Sequence, residues 1–381
     1  FCLSRGLGDV YKRQVENAAF QEALETTFRA TGRFDQLAGM DVVMICVPTP
    51  LKKNKEPDIS HVMSAAEQVA RYLHHGQLIV LESTTFPGTT EELLLPLFER
   101  RGLHIGRDCF LAYSPERIDP GNRRFSLRTT PKVVGGTTGQ CAHLAITLYS
   151  TIVEQVVSVA SPKAAELVKL LENTFRAVNI GLANEFACMA DILGVDIWEV
   201  IQAAATKPYG FMPFYPGPGL GGHCIPIDPL YLSWKLRSLD YHARFIELAS
   251  EVNEAMPEYV VELVARALNE HGKCLNGARI LVLGVAYKRD VGDVRESPAL
   301  DAMRLLLERH AHCSFADQYV PMLRLKDTVL HAQTIDDEAL HSADCVLILT
   351  DHTHVDYQQV IEQARLVVDT RNATGTLPGA E

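Results

Sequence analysis

The sequence predicts an α/β protein: two Rossmann-like parallel-sheet domains, the first of them incomplete, joined by a central helical domain on a long spine helix. Three observations carry this. Short, unbroken apolar runs alternate with helical patterns before residue 160 and again after residue 273. Between them, apolar residues recur at helical spacing from Ala164 to Leu193. The chain has 381 residues, enough for two or three domains at roughly 150 residues each.

The elements follow in order. Residues 41–47 and 78–81 are continuous apolar runs, as expected of strands covered on both faces. Residues 59–74 between them read as a helix, and 110–113 and 133–134 continue the parallel pattern. At residue 161 the texture changes. Ser161 is a natural N-cap and Pro162 suits the first turn, so the spine starts here. A second helical stretch covers 242–271, and the Gly- and Pro-rich residues 209–229 form a shaped loop. Residues 279–286 open a second α/β unit, followed by helix 299–309 and strands 313–316, 345–349 and 366–368.

Composition excludes several classes. With 47% hydrophobic and 22% charged residues, the chain is a folded globular one. A net charge of -11 argues against nucleic acid or an anionic membrane as partner. No apolar run approaches the roughly 20 residues of a membrane span. Nine cysteines are scattered without a CxxC pair, which fits a reduced, cytoplasmic protein better than a disulfide framework or a zinc site. The opening residues 1–14 (FCLSRGLGDVYKRQ) have no apolar stretch of a secretory signal and no clear period. They read as a foreign segment, and Gly6-Leu7-Gly8 lacks the third glycine of a phosphate loop.

Several constellations could carry chemistry. In Gly217-Pro218-Gly219-Leu220-Gly221-Gly222-His223-Cys224, glycines allow close backbone approach, and Cys224 could present its sulfur to a substrate. Asp228, four residues on, could assist proton transfer; a buried structural Cys is the alternative. Lys169 and Asn173, spaced i, i+4, could stabilise an oxyanion or form a solvated stripe. Glu116 follows a strand end and could act as a base or pair with Arg117. Thr84, also after a strand, could hold water or cofactor, or cap a turn. Lys288, Arg289, Arg295 and Arg371 suit phosphate. His352 and His354 read as loop residues, and no metal site is expected.

Taken together these stretches resemble the nucleotide-sugar (UDP-glucose/GDP-mannose) 6-dehydrogenase family. The matching segments are Val47-Pro48-Thr49-Pro50, Glu82 to Gly88, Ser114-Pro115-Glu116-Arg117, Lys169 to Asn173, the Gly-His-Cys loop, and Gly284 to Lys288 with Arg295-Glu296-Ser297, in the family's order. Residues 214–229 are most similar to the branch oxidising UDP-N-acetylglucosamine; UDP-N-acetylmannosamine and UDP-glucose are the alternatives.

The resemblance implies a four-electron oxidation of the sugar C6 alcohol to a carboxylate, using two NAD+. Cys224 would form a thiohemiacetal and then a thioester. Lys169 and Asn173 would stabilise oxyanions, Asp228 and Thr84 would hold water or move protons, and Glu116 would support hydrolysis. Val47, Pro48, Thr49, Ser83, Thr84 and Arg295 would contact NAD. Glu116, Lys169, Asn173, Tyr215, Gly219, Gly221, Lys288 and Arg371 would contact the UDP-sugar. The implied domains are 15–160 for NAD, 161–272 for catalysis and homodimerisation, and 273–381 for UDP. Family members open with a strand, Gly-rich turn, helix and strand that bind the dinucleotide. Residues 1–14 stand there instead, so weak NAD binding is expected. Two other readings are a non-catalytic UDP-sugar binder and a two-electron hydroxyacid-type dehydrogenase, the latter giving Cys224 no role.

Overall fold

A computed structural model describes residues 17–52, 54–119, 124–326, 328–375 and 377–379. Residues 1–14, with Gly6-Leu7-Gly8, lie outside them. The chain packs as two compact units: Phe1–Thr174 with Ile227–Ala243, and Phe175–Pro226 with Arg244–Glu381.

In the first unit, helix α1 (Asn17–Thr26) and a 3-10 turn (Phe34–Gly39) precede strand β1 (Val42–Ile45). Helix α2 (Ser60–Tyr72), strand β2 (Leu78–Leu81), a π-helical turn (Thr89–Leu94) and helix α3 (Leu95–Glu99) follow. Strands β3 (Phe110–Tyr113) and β4 (Lys132–Gly136), helix α4 (Gly139–Tyr149) and strand β5 (Val156–Val159) complete the sheet, in order β1-β2-β3-β4-β5. The unbroken apolar run of β2 has a plain cause. Ile79 and Leu81 pack against α2 and α3 residues such as Val62, Ala66 and Phe98. Leu78 and Val80 pack on the other face with Ala145 and Tyr149 of α4.

Strands β1, β2 and β3 are parallel, but β4 runs antiparallel to β3, with Ala112 beside Gly136. The expected parallel continuation at 133–134 is reversed there. The described part of the connection after β3 is irregular, and a strand that returns without a crossover helix must run the other way.

Helix α5 (Pro162–Leu193) is the expected spine. Ser161 Oγ accepts the Ala164 N–H at 3.1 Å, the N-cap bond its sequence position suggested. At 32 residues the helix is roughly 48 Å long. Helix α6 (Ile197–Ala205) follows, and helix α7 (Asp228–Arg237) begins inside the stretch expected to be loop.

In the second unit, helix α8 (Arg244–Glu270) leads into strand β6 (Arg279–Leu283), helix α9 (Pro298–Glu308) and strand β7 (His312–Ala316). A hairpin of β8 (Met322–Leu325) and β9 (Thr328–His331) is followed by α10 (Asp337–Ser342), β10 (Cys345–Ile348), α11 (Tyr357–Gln363) and β11 (Val367–Asp369). The four-stranded sheet has order β11-β10-β6-β7 and is parallel throughout. Ile280 and Val282 of β6 face α8 and α9, while Leu281 and Leu283 face Leu340 and Val360 of α10 and α11.

Leu281 is 1% exposed at the centre of this sheet. Leu281→Ala is expected to lower stability by about 2–5 kcal/mol, seen as a reduced urea midpoint with an unchanged slope.

Candidate active site

In the first unit, loops after β1 and β2 meet where parallel strands place ligands. Ser83 stitches them together: its hydroxyl accepts the Val47 N–H and donates to the Val47 carbonyl, both at 2.8 Å. Pro48 continues that loop and Thr49 is buried in it. Tyr231 of α7 donates to the Pro50 carbonyl at 3.0 Å. Thr84 is half-buried beside Ser83, and the buried Thr85 hydroxyl has no partner among the described residues.

Glu116 does not pair with the Arg117 guanidinium. Arg117 holds Glu172 at 2.6 Å instead. Glu116 Oε1 accepts the main-chain N–H groups of Arg117 and Ile118, each at 2.7 Å, which fixes its carboxylate. Its other oxygen lies 3.6 Å from Lys132 Nζ. Lys132 is buried and also bonds Glu82 at 2.9 Å, and Tyr149 donates to Glu82 at 2.5 Å. Cys46 donates to Glu82 at 3.4 Å. Burial and the Glu82 charge push the Cys46 thiol up to about 12, so it stays protonated and inert at neutral pH.

Lys169 and Asn173 are not a solvated stripe. Both are buried, while the spine's Leu167 and Leu171 are exposed. Asn173 Nδ2 donates to Asp228 Oδ2 at 2.5 Å, and the Lys169 charge acts on the same carboxylate. Asp228 is the first residue of α7 and is 4% exposed. Burial raises its acid from the ordinary carboxylate range to about 6, opposed by Lys169 and by the Asn173 hydrogen bond. Such a group can exchange a proton near neutral pH.

In the second unit, the glycine loop lies tight against its neighbours. The Gly217 N–H donates to Asn184 Oδ1 at 2.9 Å, and a Cβ on Gly217 would stand 2.3 Å from Arg371 Nη1. A Cβ on Gly221 would meet Tyr287 Cβ at 2.7 Å and the Glu296 carbonyl at 2.8 Å. The Gly222 N–H donates to the Arg295 carbonyl at 3.2 Å. Gly219 shares the loop, and Cys224, two residues past Gly222, is exposed. Arg295 forks onto Asp293, with Nε–Oδ1 at 3.0 Å and Nη2–Oδ2 at 2.6 Å. That pairing chiefly raises its proton affinity, and Cys224 adds to the effect, so the sulfur lies within the guanidinium's field.

Tyr215 stacks on Trp198, ring centroids 5.6 Å apart. Lys288 is half-buried in the loop after β6. Arg289 and Arg371 both bond Asp351, and burial and the Arg289 charge lower the Arg371 proton affinity. These cations lie in loops at the carboxyl ends of β6 and β11, where phosphate would be met. His352 and His354 lie in the loop after β10. The buried His352 is committed to structure: Nδ1 accepts the Asp290 N–H at 2.9 Å and Nε2 faces Asp317 at 3.1 Å. Among the described residues no three His, Cys, Asp or Glu side chains gather as a metal would require.

Sequence reasoning missed helix α7, the Glu82–Lys132 cluster and the buried Asn184. A Pro after Asp228 was the available helix signal. The buried polar groups had none, since their partners lie far away in the chain.

Three domain profiles of one family cover the chain. The NAD binding domain of the UDP-glucose/GDP-mannose dehydrogenase family matches residues 3–153, its central domain 163–255 and its UDP binding domain 281–376. UDP-N-acetyl-D-glucosamine 6-dehydrogenase of Pseudomonas aeruginosa is 37% identical over 309 residues, 81% of this chain and 72% of that protein. The chain belongs to the UDP-glucose/GDP-mannose dehydrogenase family. It is an NAD-dependent UDP-sugar dehydrogenase. UDP-N-acetyl-D-mannosamine dehydrogenase of Methanococcus maripaludis is also 37% identical, over 82% of this chain and 69% of its own. The solved UDP-D-ManNAc dehydrogenase of Pyrococcus horikoshii superposes with a TM-score of 0.84 at 34% identity, covering 95% of this chain and 86% of its own. For this dehydrogenase, the described loops after β1 and β2 fit the dinucleotide. They present peptide groups, the half-buried Thr84 and the unpartnered Thr85 hydroxyl at the parallel strand ends.

Asp228 also sets a stability test. Its folded-state acid is raised, so the folded chain holds the proton more tightly than the unfolded one. Its contribution to stability is full below the ordinary carboxylate range and is lost as pH rises towards 6. Asp228→Asn is therefore expected to be more stable than the parent above pH 6, by about 1–3 kcal/mol, and equal to it near pH 4. Denaturation at the two pH values checks this.

Proposed function

We propose that this chain oxidises the C6 hydroxyl of UDP-N-acetylglucosamine to the carboxylate in two successive hydride transfers, with Cys224 as the covalent nucleophile. The observation that carries this reading is the buried Lys169–Asn173–Asp228 cluster, whose Asp228 stands four residues after an exposed cysteine on a glycine loop. NAD, when bound, supplies the acceptor for each hydride. Asp228 takes the hydroxyl proton, directly or through water held with Thr84. Lys169 and Asn173 donate to the oxygen as its charge develops. Cys224 Sγ adds to the resulting aldehyde, giving a thiohemiacetal that keeps it from escaping. Loss of the second hydride leaves a thioester. Water, oriented by the fixed Glu116 carboxylate, releases the acid and frees the thiol.

Lys288 and Arg371 hold the diphosphate in this reading, while Tyr215, Gly219 and Gly221 shape the sugar pocket. Arg295 steadies the sulfur and reaches towards the cofactor. The choice of sugar rests on residues 214–229 and on the Pseudomonas relative. The mannosamine enzymes at equal identity make UDP-N-acetylmannosamine the second candidate. The test is NADH formed per sugar consumed, with both sugars and UDP-glucose. Two NADH per UDP-N-acetylglucosamine are expected. Cys224→Ser should cut acid formation by more than about a hundredfold. One NADH per sugar, or a harmless Cys224→Ser, refutes the covalent scheme.

We further propose a homodimer through the spine. Leu167, Leu171, Phe175, Leu182, Phe186, Met189 and Leu193 recur at intervals of three, four or seven residues, and all are exposed. Such a continuous apolar stripe is usually covered by a partner. Leu171→Glu combined with Phe186→Glu is expected to halve the mass measured by sedimentation.

A further inference from the structure

Glu166 is a buried carboxylate without a part in the chemistry above. It lies near the start of α5 and is 0% exposed. Its Oε2 accepts the Gly88 N–H at 2.5 Å, and its Oε1 accepts both the Thr90 N–H at 2.9 Å and the Thr90 hydroxyl at 2.7 Å. These three donors close the loop that follows β2. Gly88 takes a left-handed φ of 104° there, and the chain then winds into the π-helical turn. Such turns are frequent at functional sites. The start of the loop is fixed by Ser83 to the Val47 peptide. Its middle is fixed by Phe86, which packs with Leu170 and Tyr231, its ring centroid 5.1 Å from that of Trp234. Thr84 and Thr85 span the gap between these anchors. On the helix side, Glu166, Lys169 and Asn173 stand at i, i+3 and i+7, one face of α5.

We propose that Glu166 is a positioning residue for the dehydrogenase reaction: its carboxylate ties the Thr84-bearing loop to the spine turns that carry Lys169 and Asn173, and so sets the spacing of the reacting groups. The assignment rests on the roles given above to Thr84, Lys169 and Asn173. A plain anchor needs no charge, and a charge here is costly. Burial raises the Glu166 acid to about 7, opposed by the Thr90 and Gly88 donors and reinforced by Glu91. Tyr113 of β3 also feels the Glu166 charge, together with those of Asp228 and Glu82. As an anion, Glu166 satisfies all three donors. Once protonated, it offers an O–H that the Gly88 and Thr90 N–H groups cannot accept, and the Thr90 hydroxyl must turn round to do so, which loosens the clamp. The loop geometry therefore follows the charge of Glu166 around neutral pH.

Two readouts test this. The first needs no turnover: the fluorescence of Trp234, the tryptophan beside Phe86, followed against pH in a Trp198→Phe background. A transition near pH 7 is expected. It should vanish in Glu166→Gln and move to higher pH in Thr90→Val, which removes a donor favouring the anion. The second is the pH profile of kcat. The unaltered chain should lose kcat below about pH 7. Glu166→Gln should lose the fall near pH 7 and keep only the one that Asp228 sets near pH 6, with kcat down about tenfold or more and KM for the UDP-sugar within about threefold. Thr90→Val, which keeps the carboxylate, covers the case in which Glu166→Gln does not fold. A fluorescence transition unmoved by the substitutions, or a kcat profile shared by all three chains, overturns the proposal. NADH per sugar at pH 8 is measured in parallel, so an error in the assigned reaction appears there and not in the fluorescence.

Discussion

The carboxylate of Asp228 can be buried only because Asn173 and Lys169 face it. An isolated ion in that position would be too costly, and the Lys169 charge with the Asn173 hydrogen bond offsets part of that cost. The pairing explains why Ile227–Ala243 packs with the first unit although the residues before it pack with the second. Around the pair, Ile227 and Tyr231 join Phe86 and Leu170 in an apolar cluster, and Tyr231 latches onto the loop after β1. The polar contact selects the register of α7, and the apolar contacts hold it.

The chain therefore changes units between Cys224 and Asp228, four residues apart. Cys224, the proposed nucleophile, belongs to the unit with the UDP binding domain, and the titratable Asp228 to the unit with the NAD binding domain. Glycines make the Cys224 side of this change workable. Arg371, Tyr287 and the Glu296 carbonyl stand where side chains would otherwise be. The loop is fixed by its backbone, which leaves the one thiol after it exposed. The thiols of Cys313 and Cys345, by contrast, are pushed up to about 12 by burial.

Much of the fold was legible in the sequence because covered strands announce themselves. Residues 78–81 and 280–283 are apolar throughout, and both are buried on two faces. The spine's start was legible from Ser161 and Pro162, whose capping chemistry is local. The reversal of β4 was not, since strand direction depends on what the preceding connection does in space. The candidate residues were picked by motif, and the motifs stood out. Their surroundings did not. Lys169 and Asn173 looked like a polar stripe beside leucines, yet Leu167 and Leu171 are the exposed ones. A helical pattern tells which residues share a face, and not which face is covered. Glu166, Lys132 and Asn184 escaped notice because each gains its meaning from partners 50 or more residues away, or across a loop.

The spine helix also limits how this chain can diverge. Glu166, Lys169, Asn173 and Asn184 all hang from one uninterrupted helix, each meeting a partner fixed elsewhere. Inserting or deleting a single residue between them would turn everything beyond that point by about 100° and shift it by about 1.5 Å. No local loop could absorb the change. A substitution on the spine acts at one position, whereas a change of its length between Glu166 and Asn184 would displace every partner beyond it.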